Sequence, residues 1–459
     1  MTDRTGATPV GLLAHGVGGR EDLPLSLPQL VVAAVLTLVI TFVALGVLWR
    51  SPRLDRDGHV GQPVPRRLAA LVDAPAFRWA LRGLGLLAGA YLCLALLGGP
   101  DDEDNPTAGV LYVLVWIGLV PLSLLFGPVW RAVSPLRSLY LVLAAAAGRN
   151  PDQGLRPLPA GLGVWPAAFG LVAFVWLELV APGRATLPVI NAWLAGYALV
   201  MLVGAVRYGV AWFDRADPFQ VHSGLVGRLA PVGRRHDGVL VWRNPLDGMA
   251  TLRPEPGLVT VVVVLLGSTM YDSLSAAPAW QRFTQENGLP AVVTGSLGLA
   301  GVLALVAVAY HLAVRAAATH GRDSRVAPGR DGQLAPGRVG GELAHSIVPI
   351  AVGYLLAHYY SLLVVEGQRT IALLSDPLGT GANWLGTADW RPHTGLVTPD
   401  TVAALQITLI LVGHLLGTVL AHDRSLYLSP RARAVTGQLP MLVLMVGYTV
   451  AGLLLLHAG

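Results

Sequence analysis

The sequence predicts an all-α, polytopic membrane protein: a helix bundle of about ten transmembrane helices with both termini outside. Three observations carry that prediction. Of 459 residues, 54% are hydrophobic and 13% charged, where a soluble domain carries about a quarter charged residues. Apolar runs of roughly 20 residues recur along the whole chain, each long enough to cross a hydrocarbon core of about 30 Å. Finally, the arginines fall in alternate loops. This composition, with a mean hydropathy of +0.59, excludes a soluble globular class. The formal net charge of +5 does not signal nucleic acid, because the basic residues lie between the apolar runs. All of them are arginine, a usage that suits a GC-rich bacterial genome, so the expected location is a bacterial plasma membrane and the expected partner a lipid bilayer.

The predicted spans are 30–49, 80–98, 108–127, 161–181, 187–207, 256–272, 290–314, 343–365, 402–421 and 438–456. Segments 50–79, 128–160, 208–255, 315–342 and 422–437 together hold 24 arginines and the opposite-side segments hold 6. The positive-inside rule places the first set in the cytoplasm. Residues 1–29 form an external tail, 30–207 a first five-helix half, and 256–459 a second half carrying an external loop at 366–400. The first apolar run starts too late and runs too long for a cleaved leader, so it reads as a span. Cys93 has no partner for an intramolecular disulfide and reads as a small core residue.

Between the halves, 208–255 reads as a cytoplasmic loop in which "VLVWRNPLDGMATLRP" forms a small hairpin about its Pro–Asp–Gly turn. Segment 315–342 is rich in Gly, Arg and Pro and reads as a linker. The external "IALLSDPLGTGANWLGTADW" is too apolar for a solvated linker and is expected to fold back as a lid or re-entrant piece. No internal sequence repeat is found, but a five-plus-five division suits inverted halves, a transporter architecture.

A rise of about 1.5 Å per residue converts position into depth, and the polar residues then fall at two levels. The outer level holds Glu178, Tyr271, Asp272, His358, Tyr359, Tyr360 and Glu366, to which the external segments add His15, Asp376, Asp389 and His393. The inner level holds His311, His345, His414, His422, Asp423 and Arg424. Ionisable groups inside a membrane are costly and mark functional sites by default. One or two imidazoles with carboxylates and an open position for water is the ligand set of a hydrolytic divalent metal, zinc or manganese foremost and copper as an alternative. His358 and His15 would be ligands, with Asp272, Asp376 or Glu178 completing the shell. Tyr359, Tyr360 and Glu366 would take part in catalysis, a tyrosine hydroxyl stabilising developing charge.

Blander readings stand beside these. His358 could bond a neighbouring helix, Tyr359 and Tyr360 could belong to an interfacial aromatic belt, and Glu178 and Asp272 could be solvated at helix ends. The run "HDR" could anchor a cytoplasmic helix end. Two stacked haems are disfavoured: His345 and His358 differ in height by about 20 Å, while His414 and His422 differ by about 12 Å. A single inner haem stays open.

Several stretches together carry a family resemblance: "AHGVGGREDLPLSLP", "LLFGPVWRAVSPLR", "WPAAFGLVAFVWLELV", "ELAHSIVPIAVGYLLAHYYSLLV", "LLSDPLGTGANWLGTA" and "VGHLLGTVLAHDRSL". The chain resembles bacterial multi-span proteins labelled fenitrothion hydrolase or fenitrothion hydrolase-like, from the N-terminal tail to the ninth span. The resemblance implies a membrane-bound hydrolase that cleaves an organophosphorus triester, and it carries over no catalytic residues. An apolar triester would enter laterally from the bilayer. The rival readings are a secondary transporter or metal-handling permease and, third, a haem- or quinone-binding redox subunit.

Overall fold

The computed structural model describes residues 26–319, 336–428 and 435–458. The N-terminal tail with His15 and most of the expected linker at 315–342 lie outside the described residues. Those described form an all-α bundle, and nine of their helices are long and apolar enough to cross a membrane. The protein is thus a multi-pass membrane protein.

In chain order the helices are α1 (Leu27–Leu48), α2 (Arg66–Asp73), α3 (Pro75–Gly98), α4 (Thr107–Phe126), α5 (Pro135–Ala146), α6 (Trp165–Leu179), α7 (Leu187–Tyr208), α8 (Ala211–Ala216) and α9 (Pro218–Val226), then α10 (Pro245–Ala250), α11 (Leu258–Ala276), α12 (Pro278–Glu286), α13 (Ala291–Thr319), α14 (Pro336–Leu343), α15 (Val348–Leu373), α16 (Pro399–Leu428) and α17 (Leu439–Ala458). Prolines stand in the first turn of α1, α3, α5, α6, α7, α9, α11's neighbour α12, and α15. The first turn has no N–H to lose and its φ already suits the ring. The end of the bundle that carries the arginine-rich loops is termed inner and the opposite end outer, after the orientation expected from charge.

Nine predicted spans coincide with long helices, and the fourth is a correction in length. The helix expected over 161–181 is α6, 15 residues, about 22 Å. Gly163 turns the chain at a φ of 52°, so the Pro- and Gly-rich stretch before Trp165 cannot join the helix. Within α4, residues Val110–Ile117 are wound as a π-helix, a form that recurs at functional sites.

The segment 208–255 differs from expectation in two ways. The hairpin exists, but β3 (Leu240–Trp242) pairs upstream with β2 (Val232–Arg234), and β1 (Gln62–Pro63) adds a third strand on its other side. The turn falls at Asp237 and Gly238, the latter with φ 83°. The Pro–Leu–Asp–Gly stretch instead opens α10, because the Asn244 side chain caps the Leu246 N–H and Pro245 occupies the first turn. In addition, α9 is packed into the bundle rather than lying in a cytoplasmic loop. Asp217 caps its start, and Phe219 is buried against Phe174, Trp193 and Tyr197.

The centre of the bundle is α11 and α15. Of their apolar windows 72% and 61% are buried, against 17% for the peripheral α3 and α13. A helix that is apolar all round belongs in such a shielded place. Cys93 is exposed, a correction to its reading as a core residue: its helix is peripheral, so lipid rather than protein covers it. Helices α15 and α16 meet along glycines. A Cβ at Gly413 would stand 2.6 Å from the Pro349 carbonyl oxygen, and one at Gly417 2.6 Å from that of Ser346. Small residues at such seams let membrane helices approach closely.

Candidate functional site

The two most enclosed helices also carry the polar cluster. On α11, Asp272 and Ser273 are consecutive and project near its outer end. On α15, Tyr354 and His358 lie one turn apart, so both face the same neighbour. His358 Nε2 lies 2.8 Å from Asp272 Oδ2, and its Nδ1 lies 3.2 Å from Ser273 Oγ. Ser273 Oγ in turn lies 2.9 Å from the Tyr354 hydroxyl and 3.2 Å from the Thr269 carbonyl oxygen. The side chains of His358 and Asp272 are 10% and 6% exposed, so water competes little for these bonds.

One assignment of protons satisfies this chain. A carboxylate only accepts, so Nε2–H donates to Asp272 and Nδ1 is left as an acceptor. Ser273 can then donate to Nδ1 and accept from Tyr354, in place of donating to the Thr269 carbonyl oxygen 3.2 Å away. The result is a directed series, Tyr354 to Ser273 to His358 to Asp272, which joins a hydroxyl, an imidazole and a carboxylate as acyl- and phosphoryl-transfer centres do.

Glu178, near the end of α6, is within electrostatic reach of Asp272, of Tyr112 in the π-helix and of Tyr359. Tyr359 is buried and its hydroxyl also reaches the Asp272 carboxylate. Four helices thereby converge on one spot. Around it the packing changes: Val348–Leu355 are buried at every position, whereas Tyr360–Glu366 are partly open at every position. Seven consecutive residues cover every face of a helix, so the packing loosens all round α15 over the two turns above His358.

Tyr360, Glu366, Asp376 and His393 do not join the cluster. The Tyr360 hydroxyl donates to the Leu396 carbonyl oxygen at 3.0 Å, and Gln368 exchanges bonds with the His393 backbone. These bonds hold the loop after α15 across the outer end. Glu366 is 3.7 Å from Arg369. Asp376 accepts from the backbone of Thr380 and Gly381, and those N–H groups hold its carboxyl below the usual range. Among the described residues, no three His, Cys, Asp or Glu side chains converge as the ligands of a metal would.

At the inner level most groups are bonded to one another. His422 contacts the Gln438 side chain and the Trp49 carbonyl oxygen, each at 3.0 Å. Asp423 accepts from the Trp49 indole and the Arg53 backbone. Arg424, 2% exposed, pairs with Glu342, which also meets Arg56 at 3.3 Å. His414 Nδ1 bonds the Ile410 carbonyl oxygen at 2.8 Å, while His414 Nε2 and His345 Nδ1 are buried with no hydrogen-bond partner among the described residues.

Sequence reasoning missed three residues. Ser273 and Tyr354 complete the outer chain; Ser273 follows Asp272 directly, and Tyr354 stands one turn before His358. His222, assigned to a loop, is buried on α9 with its ring 4.8 Å from that of Trp116, because α9 turns back into the bundle. Comparison with known proteins adds no template: no family model, curated protein or solved structure matches the chain.

Proposed function

We propose that the protein is a hydrolase of apolar, ester-like substrates, phosphotriesters foremost, embedded in a bacterial plasma membrane and working at the outer end of its bundle. One observation carries this reading: the buried, directed chain from Tyr354 through Ser273 and His358 to Asp272. His358 takes the proton of the nucleophile, Asp272 orients the ring and stabilises the imidazolium, and the proton passes to the departing alkoxide; water deprotonated by the same imidazole then cleaves the seryl ester, and the proton returns to the serine oxygen. Ser273 already stands at the accepting nitrogen and is the nucleophile, with Tyr354 donating to its oxygen. Tyr359 supplies a hydrogen bond to charge developing on the substrate. The loosened packing around Tyr360–Glu366 supports entry from the outer leaflet, where an apolar triester concentrates. In a metal version His358 and Asp272 would be ligands and the ion would provide a Lewis acid and activated water instead; among the described residues no third His, Cys, Asp or Glu joins them, and the ion would have to open their 2.8 Å bond.

The test is release of p-nitrophenol from an apolar phosphotriester by the chain in lipid nanodiscs, with elemental analysis of the same sample. Ser273→Ala, His358→Gln and Asp272→Asn should each lose roughly 10²–10⁴-fold in rate, and a phosphonate probe should label Ser273. No turnover by wild type on phosphotriester or carboxylic ester sinks the hydrolase reading. Turnover that survives Ser273→Ala and requires about one divalent ion per chain selects the metal version.

A secondary transporter coupled to protons is the second reading, favoured by the Nε2 of His414, unbonded among the described residues and placed between the outer chain and the inner network. His414→Gln separates the two: silent on hydrolysis, it should abolish proton-coupled uptake.

A further inference from the structure

A second charged cluster lies at the inner end, away from the outer chain, where α5 crosses α3. A Cβ at Gly85 would collide with the Val133 backbone, and one at Gly89 would stand 2.7 Å from Pro135. The chain just before α5 is therefore pressed against α3 and carries its arginines to that helix. Arg137 is buried and meets Asp214 at 2.7 Å, and Arg131 meets the other oxygen of Asp214 at 3.7 Å. Arg82 stands over the Trp79 ring at 4.8 Å and makes no ion pair among the described residues. The guanidinium groups of Arg78, Arg131 and Arg137 all lie within its electrostatic reach, and Arg78 is taken by Asp73. Two arginines thus share one carboxylate and Arg82 has none, an excess of two positive charges beside a peripheral helix.

The surroundings say what neutralises them. On α3, Leu84 and Leu87 are 60% and 71% exposed, and Leu143 on α5 is 54% exposed. In a membrane such a surface is covered by acyl chains. The occupant must then carry negative charge at headgroup level and hydrocarbon below it. Basic pockets between helices on the cytoplasmic side have this chemistry for lipid headgroups, and arginine suits a phosphodiester because its planar fork bonds two oxygens at once. We propose that Arg82 and Arg131, with Arg137 holding Asp214 behind them, bind the phosphate of an anionic phospholipid of the inner leaflet, with its chains lying along Leu84 and Leu87.

Native mass spectrometry of the delipidated full chain, titrated with phosphatidylglycerol or phosphatidylcholine in detergent, tests this. Wild type should bind phosphatidylglycerol in preference, and Arg82→Gln and Arg131→Gln should each weaken that preference about fivefold. Arg82→Lys should keep most of it, which separates lost charge from lost folding. Equal binding of the two lipids by wild type, or an unchanged preference in both glutamine variants, overturns the proposal. Displacement of the lipid by millimolar glycerol phosphate also overturns it, since the site would then serve a soluble anion.

Discussion

At the scale of single residues, the outer chain depends on which atom carries each proton. Ser273 has one hydroxyl proton and three oxygen or nitrogen neighbours, so its direction is decided by the others. Asp272 fixes Nε2–H on His358, His358 then accepts from Ser273, and Tyr354 fills the lone pair left on Ser273. Tyr354→Phe removes one neutral donor and neither the base nor the nucleophile. A net hydrogen bond of about 1 kcal/mol predicts a loss of roughly fivefold in hydrolysis rate, far below that of Ser273→Ala. A loss as large as that of Ser273→Ala would place Tyr354 among the groups that exchange protons with the substrate. His358 and Asp272 were legible in the sequence because charge at membrane depth is conspicuous. Ser273 was not, since a serine in an apolar helix commonly bonds its own backbone, and this one also contacts the Thr269 carbonyl oxygen. Depth can be read from position along a helix, but which way a side chain faces across the bundle depends on packing.

At the scale of elements, the position of His358 depends on the seam between α15 and α16. Gly413 and Gly417 put the two backbones in contact at Pro349 and Ser346, below the site, so the seam holds α15 while the two turns above His358 stay loosely packed. Gly413→Ala introduces a methyl group 2.6 Å from a carbonyl oxygen that belongs to a helix backbone and cannot rotate away. Overpacking of this kind costs about 1–3 kcal/mol, so thermal unfolding in detergent should shift down. Gly301→Ala, with nothing within 4 Å of the added carbon, should leave it unchanged or raise it. A neutral Gly413→Ala would mean that the two helices slide freely. The long spans were legible from run length alone. The packing of α9 was not, because nine residues fall short of any spanning pattern and its apolar positions are buried by tertiary contacts. The hairpin partner was misassigned since a Pro–Asp–Gly sequence suits both a turn and a capped first helical turn.

At the scale of the whole molecule, the two polar levels differ in kind. The inner one fastens elements together: Arg424 joins α16 to Glu342 on α14 and to the Ala250 carbonyl oxygen on α10, while Asp423 and His422 hold the chain after α1. The outer one leaves Glu178 without a hydrogen bond among the described residues and opens toward the outer leaflet. The proposed access route therefore requires the arginine-poor loops to face outward, an orientation drawn from charge asymmetry alone. It can be measured on whole cells. Cys93 is the one cysteine of the chain, so Cys93→Ala gives a blank background. Glu103→Cys, in the acidic turn before α4, should react with a membrane-impermeant maleimide in intact cells, whereas Arg235→Cys, in the hairpin, should react after permeabilisation alone. Glu103 is exposed and Arg235 half-buried, so a reagent on the matching side can reach either thiol. The reverse pattern would put the Asp272–His358 pair at the cytoplasmic leaflet. The hydrolase would then draw its substrate from inside the cell, and the arginine cluster around Arg82 would face the outer leaflet, where its proposed phospholipid would have to be found instead.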